Sequence, residues 1–494
     1  MLFTYGSCSR QNIVRQTPQA AGELRYGFLS EPVTLDPLNP SNTADGRSLL
    51  FNVFEGLVKP DTEGTLQPCI AETIEVEEQG RVYRFRLREN IRFHDGSPLT
   101  SADVRYSLET AQAAGFTGFS AIEAIETAGD YIIRLSLKLP DPEFLPCLTV
   151  GIVKNASSSR DRNAIGTGPY SIESYTVQQS LVLRKFADYW NDTPKQGQPL
   201  DKITIVFFAD SDALILGLHG GSINGAALPG SLAHQLTPDR FDIVSGYSAM
   251  VQLLALNNAA APLDDIRVRR AINYGIDIQG IIDTAFYGKG KPSGSPLIPG
   301  LALYYDQSLA DPYPFDPEKA RLLLAEAGYG GRSLPLEIIV PSVFTMHIDT
   351  AQVIASQLAK IGINVSIQLV DWATWLSVVY RDRNYQATII SLDSPTVSPK
   401  NFLYRYRSGD ASNFINFNSA DFDRVYGEIL VEADESRRIA LYKEAQQVIS
   451  ANAAAVYIQD IIGFRAFRAG AYGGVLNYPL YVVDFASMYA INTR

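Results

Sequence analysis

Residues 73–93 alternate between apolar and charged positions. Val82, Phe85 and Leu87 interleave with Arg81, Arg84, Arg86 and Arg88, the pattern of a strand pair with one wet face. Asp95-Gly96 supplies the turn that follows. Thr100, with Asp103 three positions on, predicts a capped helix start. Residues 131–139 alternate again. Residues 48–58 carry Leu49, Leu50, Val53, Phe54 and Leu57 at helical spacing. Together 48–164 read as a compact α+β unit. Residues 24–28, 180–185, 202–208 and 250–257 read as further strands. The second half changes rhythm: a strand over 335–341, a helix over 348–361 stopped by Gly362, a strand over 363–370, a helix capped by Asp371, and a strand over 385–392. That order predicts a partly parallel sheet with right-handed crossovers. Asp316-Pro317-Glu318 opens another helix that ends at Gly328, and 419–452 reads as one long helical region. Ligands of open α/β sheets sit outside the carboxyl ends of the strands. This points to the loops 341–347 and 391–400.

A chain of 494 residues is too long for one hydrophobic core and suits two or three lobes. Its net charge of -11 argues against a nucleic-acid partner and against docking on an anionic membrane surface. No apolar run is long enough for a transmembrane helix. The three cysteines, Cys8, Cys69 and Cys147, show no zinc-type spacing. Cys69 and Cys147 read either as a pair or as two separate buried thiols. Tyr5-Gly6-Ser7-Cys8 reads as the end of a lipoprotein signal, with Cys8 the lipidation site. Residues 1–22 then form a flexible N-terminal segment; an unrelated disordered tail is the alternative. HExxH, GxSxG, Walker and GxGxxG motifs are all missing. Acid pairs such as Glu77/Glu78 and Asp264/Asp265 point apart along the chain, unlike glycosidase carboxylates. No enzyme activity, cofactor or metal is therefore expected.

Several phrases, in order along the chain, resemble one family, the extracellular solute-binding proteins of family 5. They are Leu35-Asp36-Pro37; Asn52-Val53-Phe54-Glu55-Gly56-Leu57-Val58; residues 83–109, the strongest match; Gly166-Thr167-Gly168-Pro169-Tyr170; Ala187-Asp188-Tyr189-Trp190; Leu256-Asn257-Asn258 with 265–273; and 442–449. The resemblance implies an α/β fold of two lobes with a hinged cleft, as in periplasmic binding proteins. Lobe I is discontinuous (23–47, 165–258 and 472–494) and carries the additional subdomain 48–164; lobe II is 259–471. The hinge is expected near 256–258 and 464–468. The implied function is the substrate-binding component of a bacterial ABC importer, which captures an oligopeptide-like or sugar-like solute and delivers it to an inner-membrane permease. The protein is expected to be a monomer in the periplasm or outside the cytoplasm, anchored through Cys8. The alternatives are a hydrolase acting on peptides or glycosides in the same cleft, and a sensing or chaperone-like module without transport.

By resemblance, Glu31, Val33 and Thr34 after the first strand, and Tyr247, Ser248 and Met250 before the crossing strand, line the cleft. In peptide-binding members an aspartate in the loop after a lobe II strand holds the peptide amine. Here the corresponding segment places Pro395 at that position, with Leu392, Asp393 and Ser394 beside it. A proline cannot pair with an ammonium group, and the loop 341–347 holds no arginine for a carboxylate. A neutral, hydroxyl-rich or aromatic ligand is therefore favoured over a zwitterionic dipeptide. Phe344, Trp372 and Trp375 offer flat faces, although helical spacing also fits core positions for the tryptophans. His347 is a candidate contact because it falls in a strand-end loop. Arg405 is the candidate partner for an anionic ligand, the alternative being an ordinary surface arginine.

Overall fold

Two long antiparallel strands, Phe241–Leu256 and Ala455–Arg468, run through both halves of the protein. This computed structural model describes residues 22–29, 31–42, 44–155, 164–191, 196–228, 230–394, 398–478 and 482–491. The described residues build an eleven-stranded sheet around the two long strands. On one side the parallel strands Leu334–Pro341, Ile363–Val370 and Ala387–Asp393 join the second half of Phe241–Leu256. On the other side Gly225–Leu228 pairs with Phe464–Phe467, followed by Glu23–Phe28, Lys202–Phe207, Ser180–Lys185 and Tyr170–Thr176. The helix Thr345–Ala359 connects Leu334–Pro341 to Ile363–Val370, giving the parallel sheet that the alternation of elements predicts.

The sheet changes lobes where its register slips. Tyr247 faces Ile462, but Val251 faces Asp460, so 248–250 bulge against a single residue opposite. This crossing lies upstream of the hinge expected at 256–258. Asn257 and Asn258 instead fasten lobe II internally. Asn257 Nδ2 donates to the Arg383 and Tyr385 carbonyls, and Asn258 Nδ2 to those of Leu256, Ile415 and Ala454.

The additional unit is a four-stranded antiparallel sheet, with Ala71–Glu77, Val82–Leu87, Ile132–Leu137 and Ile122–Thr127 as neighbours, packed on the helix Ser101–Ala113. The Thr100 backbone N–H and hydroxyl both donate to Asp103 at its start. The unit does not own a separate core. Phe85, Leu135 and Phe144 share one apolar cluster with Tyr26 and Phe485 of lobe I and with Phe467 on the lobe I end of the crossing strand Ala455–Arg468. Lobe II has a core on each face of its sheet, one under the helices Ala420–Val431 and Glu435–Ala451 and one under Thr345–Ala359. No described helix is long and apolar enough to cross a membrane.

Two helical expectations shift. The helix expected over 48–58 is Ala44–Leu50. The chain then leaves the helical path because Gly56 passes against 148–149, where a Cβ would lie 2.5 Å from the Leu148 carbonyl oxygen. The region 419–452 is two helices, since Asp434 accepts from the Arg437 N–H and caps a new start.

Candidate functional site

A cavity of about 600 Å³ lies where the subdomain, lobe I and the edge of lobe II meet. Asn42, Phe51, Lys59, Phe116 and Tyr478 contribute from the lobe I side; Met250, Asp393 and Ser394 contribute from the bulge and the end of the strand Ala387–Asp393. Met250 and Asp393 are direct cross-strand partners, so the sheet fixes both at the mouth.

The floor is organised by Glu55. Its carboxylate is buried and accepts from four side chains: Tyr189 OH at 2.7 Å, Trp190 Nε1 at 2.9 Å, Thr167 Oγ1 at 3.1 Å and Cys69 Sγ at 3.5 Å. Burial raises its pKa above the ordinary value, against the pull of these donors and of Lys59. The Arg88 guanidinium lies 4.6 Å from the centre of the Trp190 ring and backs this arrangement. Cys69 and Cys147 both touch the cavity as free thiols, which selects the unpaired reading. Burial pushes the Cys147 thiol up to about 11. Asp484 is committed to Tyr478 OH and to the Ala486 and Ser487 N–H groups. Lys59 and Asp393 differ: both border the cavity, one from the lobe I side and one from the end of a lobe II strand, and neither charged group has a hydrogen bond or ion pair among the described residues.

Next to the cavity a clasp joins the subdomain to lobe II. Lys400 Nζ holds both oxygens of Asp141, at 2.9 and 2.7 Å. Glu143 accepts from Arg438 Nε at 3.2 Å, Ser398 Oγ at 3.2 Å and Tyr442 OH. Glu143 and Arg438 are both almost fully buried. Thus the lobes touch at the crossing strands and at this clasp.

The expected site residues divide. Met250, Asp393 and Ser394 border the cavity. Glu31 accepts from Tyr175 OH and the Gln178 N–H at the hairpin between Tyr170–Thr176 and Ser180–Lys185 and does not border the cavity. Val33 is exposed, and the Thr34 hydroxyl accepts from the Asp36 N–H. Leu392 packs into a lobe II core. Arg405 lies over the Tyr404 ring and donates to the Asp393 carbonyl at 3.5 Å. His347 is in the first turn of Thr345–Ala359 and not in a loop; it is 2% exposed and bonds Gln252 Nε2 through Nδ1. Because helix packing desolvates it, its pKa is lowered to about 4. Trp375 is core, donating to Thr388 Oγ1, while Trp372 stacks on it at 5.0 Å and Phe344 meets Trp372 edge-on. None of these rings borders the cavity. Cys8, Pro395 and the side chains of Tyr247 and Ser248 lie outside the described residues. His94 holds the Gly166–Gly168 turn, with Nδ1 accepting from the Gly166 N–H and Nε2 donating to the Gly168 carbonyl. Sequence reading missed Lys59, which directly follows the 52–58 phrase, and the clasp, whose Glu143 and Arg438 are 295 positions apart.

Residues 65–414 match the family model of bacterial extracellular solute-binding proteins, family 5 Middle. Heme-binding protein A of Haemophilus influenzae is 26% identical over 442 residues, covering 81% of this chain and 80% of that protein. The glutathione-binding protein GsiB of Shigella flexneri is 29% identical over 374 residues, covering 71% and 70%. The solved structure of the periplasmic binding protein DppA from Helicobacter pylori, in complex with the peptide STSA, shares the fold at a TM-score of 0.77 and 23% identity, over 95% of this chain and 98% of that one. The match over most of its length and the two-lobed architecture place this chain in the bacterial extracellular solute-binding proteins of family 5.

Proposed function

We propose that this protein captures a short peptide, as a zwitterion, in the cavity between its lobes. It is a substrate-binding component of a bacterial ABC importer, and it releases the solute to a membrane permease after hinge opening. The observation that carries the peptide reading is that one cavity is bordered by two charged side chains without an ion-pair partner among the described residues, Lys59 from lobe I and Asp393 from lobe II. A ligand with an ammonium and a carboxylate satisfies both and thereby ties the lobes together. The mixed polar and apolar wall, with Phe51, Phe116 and Met250, accommodates side chains without demanding one sequence. Glutathione, named for one relative, is itself a small peptide. The aromatic platform that favoured a sugar, Phe344 with Trp372 and Trp375, lies away from the wall. The hydrolase alternative gains no support, because the relatives are binding proteins and Glu55, the carboxylate of the floor, is fully engaged in structural hydrogen bonds. The protein acts outside the cytoplasm as a monomer, held to the membrane through Cys8.

Calorimetric titration with tetra-alanine and its blocked forms tests this reading. The free peptide is expected to bind tightest. C-terminal amidation and Lys59→Met should each weaken binding by roughly tenfold to a hundredfold, the worth of one hydrogen bond to a charged group. N-acetylation and Asp393→Asn should do the same at the other end. Binding of a neutral trisaccharide, with no heat from any of the peptides, would overturn the peptide assignment.

A further inference from the structure

One buried carboxylate at the crossing between lobes stands out among the described residues. Asp460 is fully buried, and among the described residues neither of its carboxylate oxygens has a hydrogen-bond partner. It sits on Ala455–Arg468 opposite Val251, the last pair on the lobe II side before the bulge at 248–250. Cross-strand partners project from the same face, and Val251 belongs to the core that also contains Tyr442, the clasp tyrosine. Asp460 therefore lies on the face of the sheet that carries this core, one position from the bulge at which the sheet crosses between lobes. An unpaired carboxylate is tolerated in such a place only as the neutral acid.

We propose that Asp460 makes closure proton-linked: the closed form holds the Asp460 carboxyl protonated, and opening at the adjacent bulge lets water in and the proton out. The hinge closure of the previous section is the premise. Among the titratable groups around Asp460, it is the one left without a hydrogen-bond partner among the described residues. Lys291, its partner on the strand Lys291–Pro292, is the cation acting on it, and the same lysine acts on Tyr305. Tyr457 bonds Tyr406 in the core on the Asp460 side, and burial raises both phenols, Tyr406 to about 12. His347 reaches Gln252 from the helix on the opposite face and stays neutral. Val251 and Met250, on the neighbouring strand, do not titrate. Burial holds the Asp460 carboxyl well above the usual carboxylate range, and Lys291 pulls the other way.

The sign follows from linkage. A carboxyl whose pKa is higher in the closed form than in the open form favours closure fully below the open-form pKa. That contribution is lost as pH rises through the closed-form value. One proton changes the closed-to-open ratio by at most about tenfold per pH unit.

Small-angle X-ray scattering of the ligand-free protein between about pH 5 and about pH 8 reads this directly. The wild type is expected to become less compact as pH rises. Asp460→Asn should remain closed throughout. Lys291→Met, a change at an exposed edge position, should move the wild-type transition to higher pH, because it removes the group that lowers the Asp460 pKa. A wild-type profile flat with pH, or a transition that Lys291→Met leaves in place, overturns the proposal. If the clasp variant Glu143→Ala opens the protein while pH does not, only the Asp460 assignment fails. If compactness changes with neither, the hinge reading fails and the assignment with it.

Discussion

Glu143→Ala is expected to leave the protein folded but predominantly open. In the closed form Glu143 takes hydrogen bonds from Arg438, Ser398 and Tyr442 of lobe II. Removing the carboxylate takes the countercharge and the Nε acceptor from the Arg438 guanidinium, which is 8% exposed and, among the described residues, keeps only the Glu432 and Ala433 carbonyls, and leaves a cavity the size of the lost side chain beside it. Breaking a buried pair from one side costs about 3–5 kcal/mol when the remaining charge stays buried. Here it need not stay buried. Opening returns Arg438 and Tyr442 to water, so the penalty falls on the closed form alone and is limited by the closing free energy. The expected result is therefore a loss of ligand affinity of roughly tenfold to a hundredfold, with a melting temperature within a few degrees of wild type. Scattering in the presence of saturating ligand should still show closure, because the ligand replaces what the clasp supplied. Lys400→Met is the milder comparison. The Lys400–Asp141 pair retains 17% and 22% side-chain exposure, about twice that of Glu143 and Arg438, so the charge left by the variant reaches water more readily. A Glu143→Ala protein with unchanged affinity and unchanged compactness would show that the clasp follows closure without favouring it.

The clasp and the crossing strands divide the work. The bulge at 248–250 places a backbone irregularity where the sheet passes between lobes, and irregular pairing is where a sheet bends most easily. The clasp supplies contacts that exist only when the bend is closed. The cavity lies between them, so a ligand that touches Asp393 and Lys59 adds to the same side of the equilibrium.

Much of this architecture was legible in the sequence because it rests on local signals. Asp371 caps its helix through the Thr374 N–H, and Pro317 opens its helix as the first residue after the Asp316 cap. The strand–helix–strand rhythm of 334–393 gave the parallel sheet and pointed to the edge where Asp393 and Ser394 meet the cavity. What was not legible depends on distant partners. His347 looked like a loop residue, but the helix begins two residues earlier and turns its ring toward Gln252. The hinge is expected at the two chain crossings, near 256–258 and 464–468; the bonds that Asn257 and Asn258 make to lobe II carbonyls link positions far apart in the chain, which the matching phrase does not carry. Nothing near Glu143 or Arg438 in sequence distinguishes them from surface charges. Likewise the apolar positions of 48–58 are buried, but so is nearly every residue between them, and the segment after Leu50 is irregular because it must pass beneath the subdomain and deliver Glu55 to its donors.

That last feature predicts the largest loss of stability. In a Glu55→Ala protein, Tyr189 OH, Trp190 Nε1–H and Thr167 OH all lose a buried acceptor. Each unsatisfied buried donor costs about 1–3 kcal/mol, and the three are too close to be additive. A total on the order of 4 kcal/mol is expected, a large part of what a lobe has to spare. Glu55→Gln should recover only part of it, because the amide nitrogen brings a donor to a site already crowded with donors. The thiol of Cys69 provides a local reporter. In the wild type it points at Glu55, and burial raises its pKa well above the ordinary value, so it should resist alkylation. In Glu55→Ala the segment 51–57 loses its tie to Trp190 and Thr167, and Cys69 should label readily, with the modified residue located by mass spectrometry to separate it from Cys147. Labelling of Cys69 at the wild-type rate, in a variant that melts at the wild-type temperature, would mean that the apolar contacts of Phe54 and Leu57 hold this segment without the carboxylate. The Tyr189–Glu55–Trp190 arrangement would then owe its place to the ligand it underlies, and its loss should appear in affinity and leave stability unchanged.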